Sequence, residues 1–364
     1  MLSIHSSVSA WASSTLPGAQ TGYIIIDLNT GNTVVSRLES TAFIPASTLK
    51  CVTAATALSR LGRDFTFETR VGYTGYIESD TLHGALLITG SGDPSIDNSF
   101  PTKIHDYGIS HIDGFIDIST SEPYVNKSFM IEDIGTDYGV GWAKFNYRAN
   151  RALINEDMEL FPSSYITDDF TADLWTEGIT IDNNLTEPTD TTPLFAHTSK
   201  PLPKLLHHML VESDNLYAEA IGRALSQDLS LSSALDTTIS FLSTIGINSK
   251  RIRMTDFSGL SRTNLITPRD LARILMVMAN NKDYVSSFPL AGREGTVKRL
   301  LNKTRLAGCL ALKSGSMTGV LAYAGYKLDK SGKPTHVIVI MVNNALCRQS
   351  DVKQYIAQWL LKNF

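Results

Sequence analysis

A serine and a lysine three positions apart, Ser47 and Lys50, head an apolar run over residues 43–61. Positions i and i+3 share one face of a helix, so the Lys50 amine comes within hydrogen-bond reach of the Ser47 hydroxyl and can take its proton. That makes Ser47 a candidate nucleophile, with Lys50 as the group that takes its proton. The same spacing recurs at Ser350 and Lys353, among Gln349, Asp351 and Gln354. Nothing in that polar setting would desolvate a lysine, and it reads as surface. Two further runs carry hydroxyl, amide and ammonium groups: Ser213-Asp214-Asn215 between two helical stretches, and Lys313-Ser314-Gly315-Ser316 at the end of a strand. A polar triplet between helices is also what an N-cap looks like. A second Lys-Ser-Gly, Lys330-Ser331-Gly332, lies in a charged hairpin-turn composition and reads as a turn.

The elements that must hold these groups follow from periodicity. Residues 43–61 read as a buried helix, with Pro45 fixing its entry and Gly62 its stop. Before it, residues 23–27 and 33–37 are β-rich runs joined by a turn composition, a predicted hairpin. Strand patterns follow at 69–73, 82–89 and 111–118. The cluster Gly90-Ser91-Gly92-Asp93-Pro94 lacks the Lys-Ser/Thr of a phosphate loop, and no helical pattern opens after it, so it is expected to be a turn. Residues 120–195 read as an irregular surface-forming insert, whose Asp168, Asp169 and Asp173 are too loosely spaced for a calcium loop. Helices are predicted over 201–210, 216–225, 234–242 and 268–278, the last opened by Thr267-Pro268. Three short-linked strands at 309–314, 320–326 and 336–342 are expected to pair antiparallel, and a helix over 352–361 is expected to pack on them.

Composition bounds the function. The chain has 364 residues, 43% hydrophobic and 19% charged, with a formal net charge of -4. It is long enough for two domains, or one domain with a large insert. The charge and the lack of a basic stripe exclude nucleic acid as the expected partner. The three cysteines, Cys51, Cys309 and Cys347, are scattered among apolar residues, which predicts buried free thiols. The adjacent His207 and His208 project in different directions and have no third ligand nearby, so no metal is expected. No apolar run reaches the length of a membrane span. Residues 1–14 carry neither a basic nor an apolar signal region, so the chain is either cytoplasmic or has lost its signal.

Ser-x-x-Lys, Ser-Asp-Asn and Lys-Ser-Gly occur in the order in which S-x-x-K, S-D-N and K-T-G mark class A β-lactamases and penicillin-binding proteins. More widely, the chain resembles the penicillin-binding protein 4 family of D-alanyl-D-alanine carboxypeptidases/endopeptidases, the class C low-molecular-mass penicillin-binding proteins of peptidase family S13. The resemblance runs through residues 45–50, 67–69, 90–94, 133–139, 213–219, 256–262, 290–296 and 313–316. It implies an α/β (α+β) serine β-lactamase/DD-peptidase (transpeptidase-like) fold, an antiparallel sheet with helices on both faces plus a smaller inserted β-rich domain. The expected division is residues 1–68 and 194–364 for the catalytic domain and 69–193 for the insert. Ser314 stands where the family usually has Thr, which keeps the hydroxyl and loses a methyl, so activity is expected to survive. The segment between Ser47 and Ser213 is shorter than in typical members, which carry two inserted domains there; one is expected here.

The resemblance implies that Ser47 attacks the penultimate D-Ala carbonyl while Lys50 acts as base, its pKa lowered by burial and by nearby Lys313. Ser213 relays the proton to the leaving amine, Asn215 holds the acyl-side amide, and the backbone N–H groups of Ser47 and Ser316 form the oxyanion hole. Lys313, Ser314 and Ser316 of the Lys-Ser-Gly315-Ser run bind the terminal carboxylate, and Asp133 and Arg262 contact the stem-peptide side chain. No cofactor is implied. The partners are peptidoglycan peptides as substrate and β-lactams as acylating inhibitors, on the periplasmic or extracytoplasmic side. Two other readings share these motifs: a serine β-lactamase, and a non-catalytic sensor of cell wall or β-lactam.

Overall fold

The β-branched run near the N-terminus closes the same sheet as the last strands of the chain. A computed structural model describes residues 16–90, 92–95, 100–120, 178–181, 190–227 and 229–364. In it, β1 (Gln20–Asp27) folds back on β2 (Thr33–Arg37) as the predicted hairpin. The chain then runs through a short 3-10 turn (Ala46–Leu49) into α1 (Lys50–Arg60). Ser47 therefore stands in the 3-10 turn, and Lys50 is the first residue of the α-helix. The predicted helix had placed both on one α-helical turn.

A second sheet follows, built from β3 (Glu68–Tyr73), β4 (Tyr76–Glu78), β5 (Thr81–Gly90), β6 (His111–Thr120), β7 (Thr180–Ile181) and β8 (Thr192–Thr198). Its order is β7-β6-β5-β3-β8, with β4 on β5. β5 and β6 are parallel, and α2 (Phe100–Asp106) lies between them in sequence. A parallel pair needs a crossover connection, so a helix does follow the glycine cluster after all. The cluster itself turns as expected, with Asp93 Oδ1 accepting from the Ser95 N–H at 2.7 Å. Asp133, Asp168, Asp169 and Asp173 lie outside the described residues.

The remaining helices are α3 (Leu202–Val211), α4 (Asn215–Arg223), α5 (Leu231–Thr244), α6 (Pro268–Met278) and α7 (Lys282–Ser286). Thr267 caps α6 by accepting the Asp270 N–H at 3.0 Å, in the cap-then-proline order read from sequence. The chain ends with β9 (Leu310–Met317), β10 (Val320–Leu328), β11 (Pro334–Asn343) and α8 (Gln349–Asn363). The first sheet runs β2-β1-β11-β10-β9, antiparallel throughout. Successive side chains of a strand point to opposite faces, and β11 is apolar on both. Val337, Val339 and Met341 join the core under α1 and α3 to α6. Ile338, Ile340 and Val342 pack with Val352, Ile356 and Leu360 of α8. Helices thus cover both faces, and α8 spends its apolar stripe on the sheet.

α1 is enclosed by α3, α4 and α6. Its inner residues are small, with Cys51, Ala54, Ala55 and Ala57 fully buried, which lets its neighbours approach closely. Cys51 is buried as expected, but Cys309 and Cys347 are only half-buried, because they lie in the turns before β9 and α8 and not within elements. Among the described residues no helix is long and apolar enough to cross a membrane.

Candidate active site

Four main-chain anchors fix the turn that carries Ser47. Asn343 at the end of β11 pairs its side-chain amide with the Ile44 backbone, accepting the N–H at 2.7 Å and donating to the carbonyl at 3.1 Å. Phe43 forms an isolated antiparallel bridge with Ile266. Ala46 sits at φ 48°, a left-handed conformation that costs an L-residue energy and persists only where its surroundings hold it. Part of that support is Gly259, at φ 81°, where a Cβ would stand 2.0 Å from the Ala46 carbonyl oxygen. The fourth is β9: Gly315 lies against the turn so closely that a Cβ would be 2.6 Å from the Pro45 oxygen and 3.0 Å from the Ser47 nitrogen.

The Lys50 side chain is fully buried, and its amine meets three oxygens. It lies 3.3 Å from Ser47 Oγ, 2.6 Å from Asn215 Oδ1 and 2.8 Å from the Ser258 carbonyl. Two carbonyl oxygens can only accept, so they occupy two N–H directions of the nitrogen. The third direction faces the hydroxyl.

Asn215 enters because it opens α4, and Asp214 caps that helix by accepting the Tyr217 N–H at 3.2 Å. Asp214 thus supplies the cap that a polar triplet between helices predicts, while Asn215 pairs with the Lys50 amine. Ser213 stands just before the cap at φ 61°. Its Oγ accepts from Lys313 Nζ at 2.8 Å, and the same ammonium donates to the Ser314 carbonyl at 2.8 Å. Lys313 is fully buried on β9, an edge strand, and burial first, then the Lys50 charge, pushes its pKa well below the usual lysine range. The Cys51 thiol is driven up to about 12 by burial and is inert.

Ser314 Oγ shares a hydrogen bond of 2.7 Å with Thr296 Oγ1, and Ser316 Oγ accepts from Gln349 at the start of α8. Ser316 is exposed. Arg262 lies at the rim, donating to the Thr318 carbonyl in the β9–β10 turn at 3.1 Å. The structure thus brings Ser47, Lys50 and Asn215 together, joins Ser213 to Lys313 and sets Gly315 against the Ser47 turn, with Ser314 and Ser316 on the same strand and Arg262 bonded to the β9–β10 turn; Asp133 falls outside the described residues. The second Ser-x-x-Lys is exposed on α8. The second Lys-Ser-Gly is the β10–β11 turn, where Asp329 Oδ1 accepts the Ser331 and Lys333 N–H groups.

Sequence reading gave no part to Ser258, Thr296 or Gln349. Ser258 and Thr296 lie within runs that carried the family resemblance, though Ser258 acts through its carbonyl, to which its side chain is no guide. Gln349 had no local signal.

The profile of the D-Ala-D-Ala carboxypeptidase 3 (S13) family matches residues 6–155 and 158–363. The chain belongs to this family. Its activity is that of a serine-type DD-peptidase, which decides among the three readings the motifs left open. The chain is 27% identical over 344 residues to carboxypeptidase Rv3627c of Mycobacterium tuberculosis, over 85% of this chain and 73% of that protein. It is 25% identical over 412 residues to D-alanyl-D-alanine carboxypeptidase DacB of Haemophilus influenzae, over 87% and 84%. The crystal structure of penicillin binding protein 4 (dacB) from Haemophilus influenzae superposes with a TM-score of 0.77 at 22% identity, over 98% of this chain and 99% of that one. That superposition establishes the transpeptidase-like fold.

Proposed function

We propose that this S13 peptidase cleaves the D-alanyl-D-alanine bond of peptidoglycan stem peptides through an acyl-enzyme on Ser47, with Lys50 as base. The observation that carries the reading is the Lys50 amine, tied by two carbonyl oxygens and facing Ser47 Oγ at 3.3 Å. In the first step Ser47 Oγ bonds to the penultimate D-Ala carbonyl carbon while its proton passes to Lys50. The carbonyl oxygen takes the charge between the Ser47 and Ser316 backbone N–H groups, and Gly315 lets β9 approach the Ser47 turn. The tetrahedral intermediate then expels the terminal D-Ala amine, which receives its proton through Ser213. Water hydrolyses the ester by the reverse proton route and frees Ser47.

Lys313 keeps a proton donor on Ser213 and adds positive potential for the terminal carboxylate, beside the hydroxyls of Ser314 and Ser316. Asn215, its oxygen taken by Lys50, offers its amide N–H to the acyl-side peptide. Arg262 and Asp133 contact the stem-peptide side chain. β-Lactams acylate the same serine because their amide imitates the scissile one. Residues 69–193, which hold most of the second sheet, form an inserted domain that sets access for cross-linked substrate. The substrate lies outside the cytoplasmic membrane, and the enzyme works there.

An intact-mass time course with a penicillin tests this. A drug-sized adduct that persists for minutes to hours, and is absent from Ser47→Ala, is expected, together with release of D-alanine from a peptide ending in D-Ala-D-Ala. Intact drug and no adduct would overturn the assignment of Ser47.

A further inference from the structure

One of the oxygens that meet the Lys50 amine, the Ser258 carbonyl, belongs to a main-chain loop, residues 256–261, and two buried carboxylates hold that loop. Glu219 lies one helical turn beyond Asn215 on α4, and its Oε1 accepts the Phe257 and Ser258 N–H groups at 3.1 and 2.9 Å. Asp256 accepts the Gly259 N–H at 2.7 Å, the Ser261 N–H at 2.6 Å and the Asn264 side-chain amide at 2.8 Å. Both carboxylates are buried, and among the described residues Glu219 Oε2 takes no hydrogen bond. On the other side, Thr53 of α1 donates to the Phe257 carbonyl at 2.6 Å. The Phe257, Ser258, Gly259 and Ser261 N–H groups of the loop are therefore each held by a carboxyl oxygen, and that of Leu260 goes to the Ser258 hydroxyl at 3.4 Å.

We propose that Glu219 and Asp256 are positioning residues for the general base: by fixing the 256–261 main chain they hold the Ser258 carbonyl on Lys50, and so keep the amine lone pair on Ser47. The inference rests on Lys50 being the base. A neutral amine has two N–H bonds and one lone pair in tetrahedral directions. Asn215 Oδ1 and Ser258 O engage the two N–H bonds, which leaves the lone pair for the hydroxyl proton. Without the Ser258 carbonyl one N–H loses its fixed acceptor, and the lone pair is aimed at the hydroxyl only part of the time.

The groups facing this cluster are Arg223 on α4, Lys50 on α1 and, behind Lys50, Lys313 on β9. Burial raises the Glu219 pKa, with the Arg223 charge pulling the other way, and brings Asp256 to about 7, the Glu219 charge adding to its burial. The two titrate as one coupled pair. Each carboxyl is harder to ionise than in water, and the charge of one opposes ionisation of the other.

The test compares Glu219→Gln, Glu219→Ala and Asp256→Asn with the wild-type protein, following acylation by a fluorescent penicillin from pH 5 to 9 alongside thermal unfolding. Gln keeps an oxygen for the two N–H groups, so its rate at pH 7 should stay within about threefold. Ala removes that oxygen and should acylate about tenfold to a hundredfold slower, the scale of a misplaced catalytic group. Where both carboxyls are ionised in the wild type, Glu219→Gln and Asp256→Asn present one negative charge fewer to Lys50, so the rising limb of the rate should move about half a pH unit toward acid. Equal impairment of Gln and Ala with an unmoved pH limb would reduce the pair to scaffolding and overturn the proposal. If Ala fails to fold, the limb in the two isosteric variants decides. A Lys50→Met control that acylated at the wild-type rate would instead refute the assignment of the base.

Discussion

Gly315→Ala isolates the contact between β9 and the nucleophile's turn. Gly315 has no left-handed backbone angle, so alanine fits its conformation and the whole effect is steric. The added Cβ would meet the Pro45 oxygen at 2.6 Å, the Thr48 nitrogen at 2.9 Å and the Ser47 nitrogen at 3.0 Å. Ordinary contact begins near 3.4 Å, so strand and turn must part by roughly 0.8 Å. These are backbone atoms and no rotamer change relieves them. The turn is anchored by Asn343 and the Phe43–Ile266 bridge, and β9 is paired with β10 along its whole length. Overpacking of this kind costs about 1–3 kcal/mol, a fall in melting temperature of a few degrees for a domain this size. The same separation widens the gap between the Ser47 and Ser316 N–H groups, and the acylation rate should fall about tenfold to a hundredfold. Stopped-flow acylation with a fluorescent penicillin measures the rate, and thermal unfolding measures the cost. An alanine variant acylating within twofold of wild type would refute the reasoning, because the oxyanion site could not then depend on this approach.

Lys313→Met removes a buried cation whose pKa is pushed down by burial and by Lys50. Acylation should fall at least a hundredfold while the melting temperature at pH 7 moves by only a few degrees, since relief of a buried charge opposes the loss of the donor to Ser213 and the Ser314 carbonyl. The Glu219–Asp256 pair gives the protein a pH dependence of known sign. Asp256 ionises at about 7 in the folded protein against 3.8 when unperturbed, so the folded state keeps a proton the unfolded chain has released. Stability is then fullest below that lower value and falls, by a few kcal/mol at most, as pH rises toward 7. Thermal unfolding from pH 4 to 8 should show this decline, and the double variant Glu219→Gln/Asp256→Asn should lose it.

Much of this was legible in the sequence because it is local. The hairpin at 23–37, the Thr267-Pro268 helix start and the apolar strands near the C-terminus announce themselves through neighbours in sequence. Ser47 and Lys50 are linked by three positions of one helical segment, and so their meeting could be read directly. What was not legible depends on distant chain segments. The left-handed Ala46 is held by Gly259 and by the Asn343 clamp on Ile44, over two hundred residues away. The Ser258 carbonyl and the Thr296 and Gln349 side chains reach the cleft only through packing. The same is true of the parallel β5–β6 pair, since strand patterns do not encode direction. Cys309 and Cys347 have apolar neighbours but lie in turns, which burial by composition alone misjudges.

β1 has its long pairing with β11, from Gln20 opposite Asn343 to Asp27 opposite His336. This has a consequence for how the protein comes into being. β1 has to wait for β11, and the second sheet is synthesised in between. Ser47 meets Gly315, and Asn343 grips Ile44, only after β9 to β11 have been made. Such distant pairing carries a large loop-closure cost and folds slowly. A nascent chain of this topology is therefore inactive, with no reactive serine to meet β-lactam or substrate until its final strands are in place.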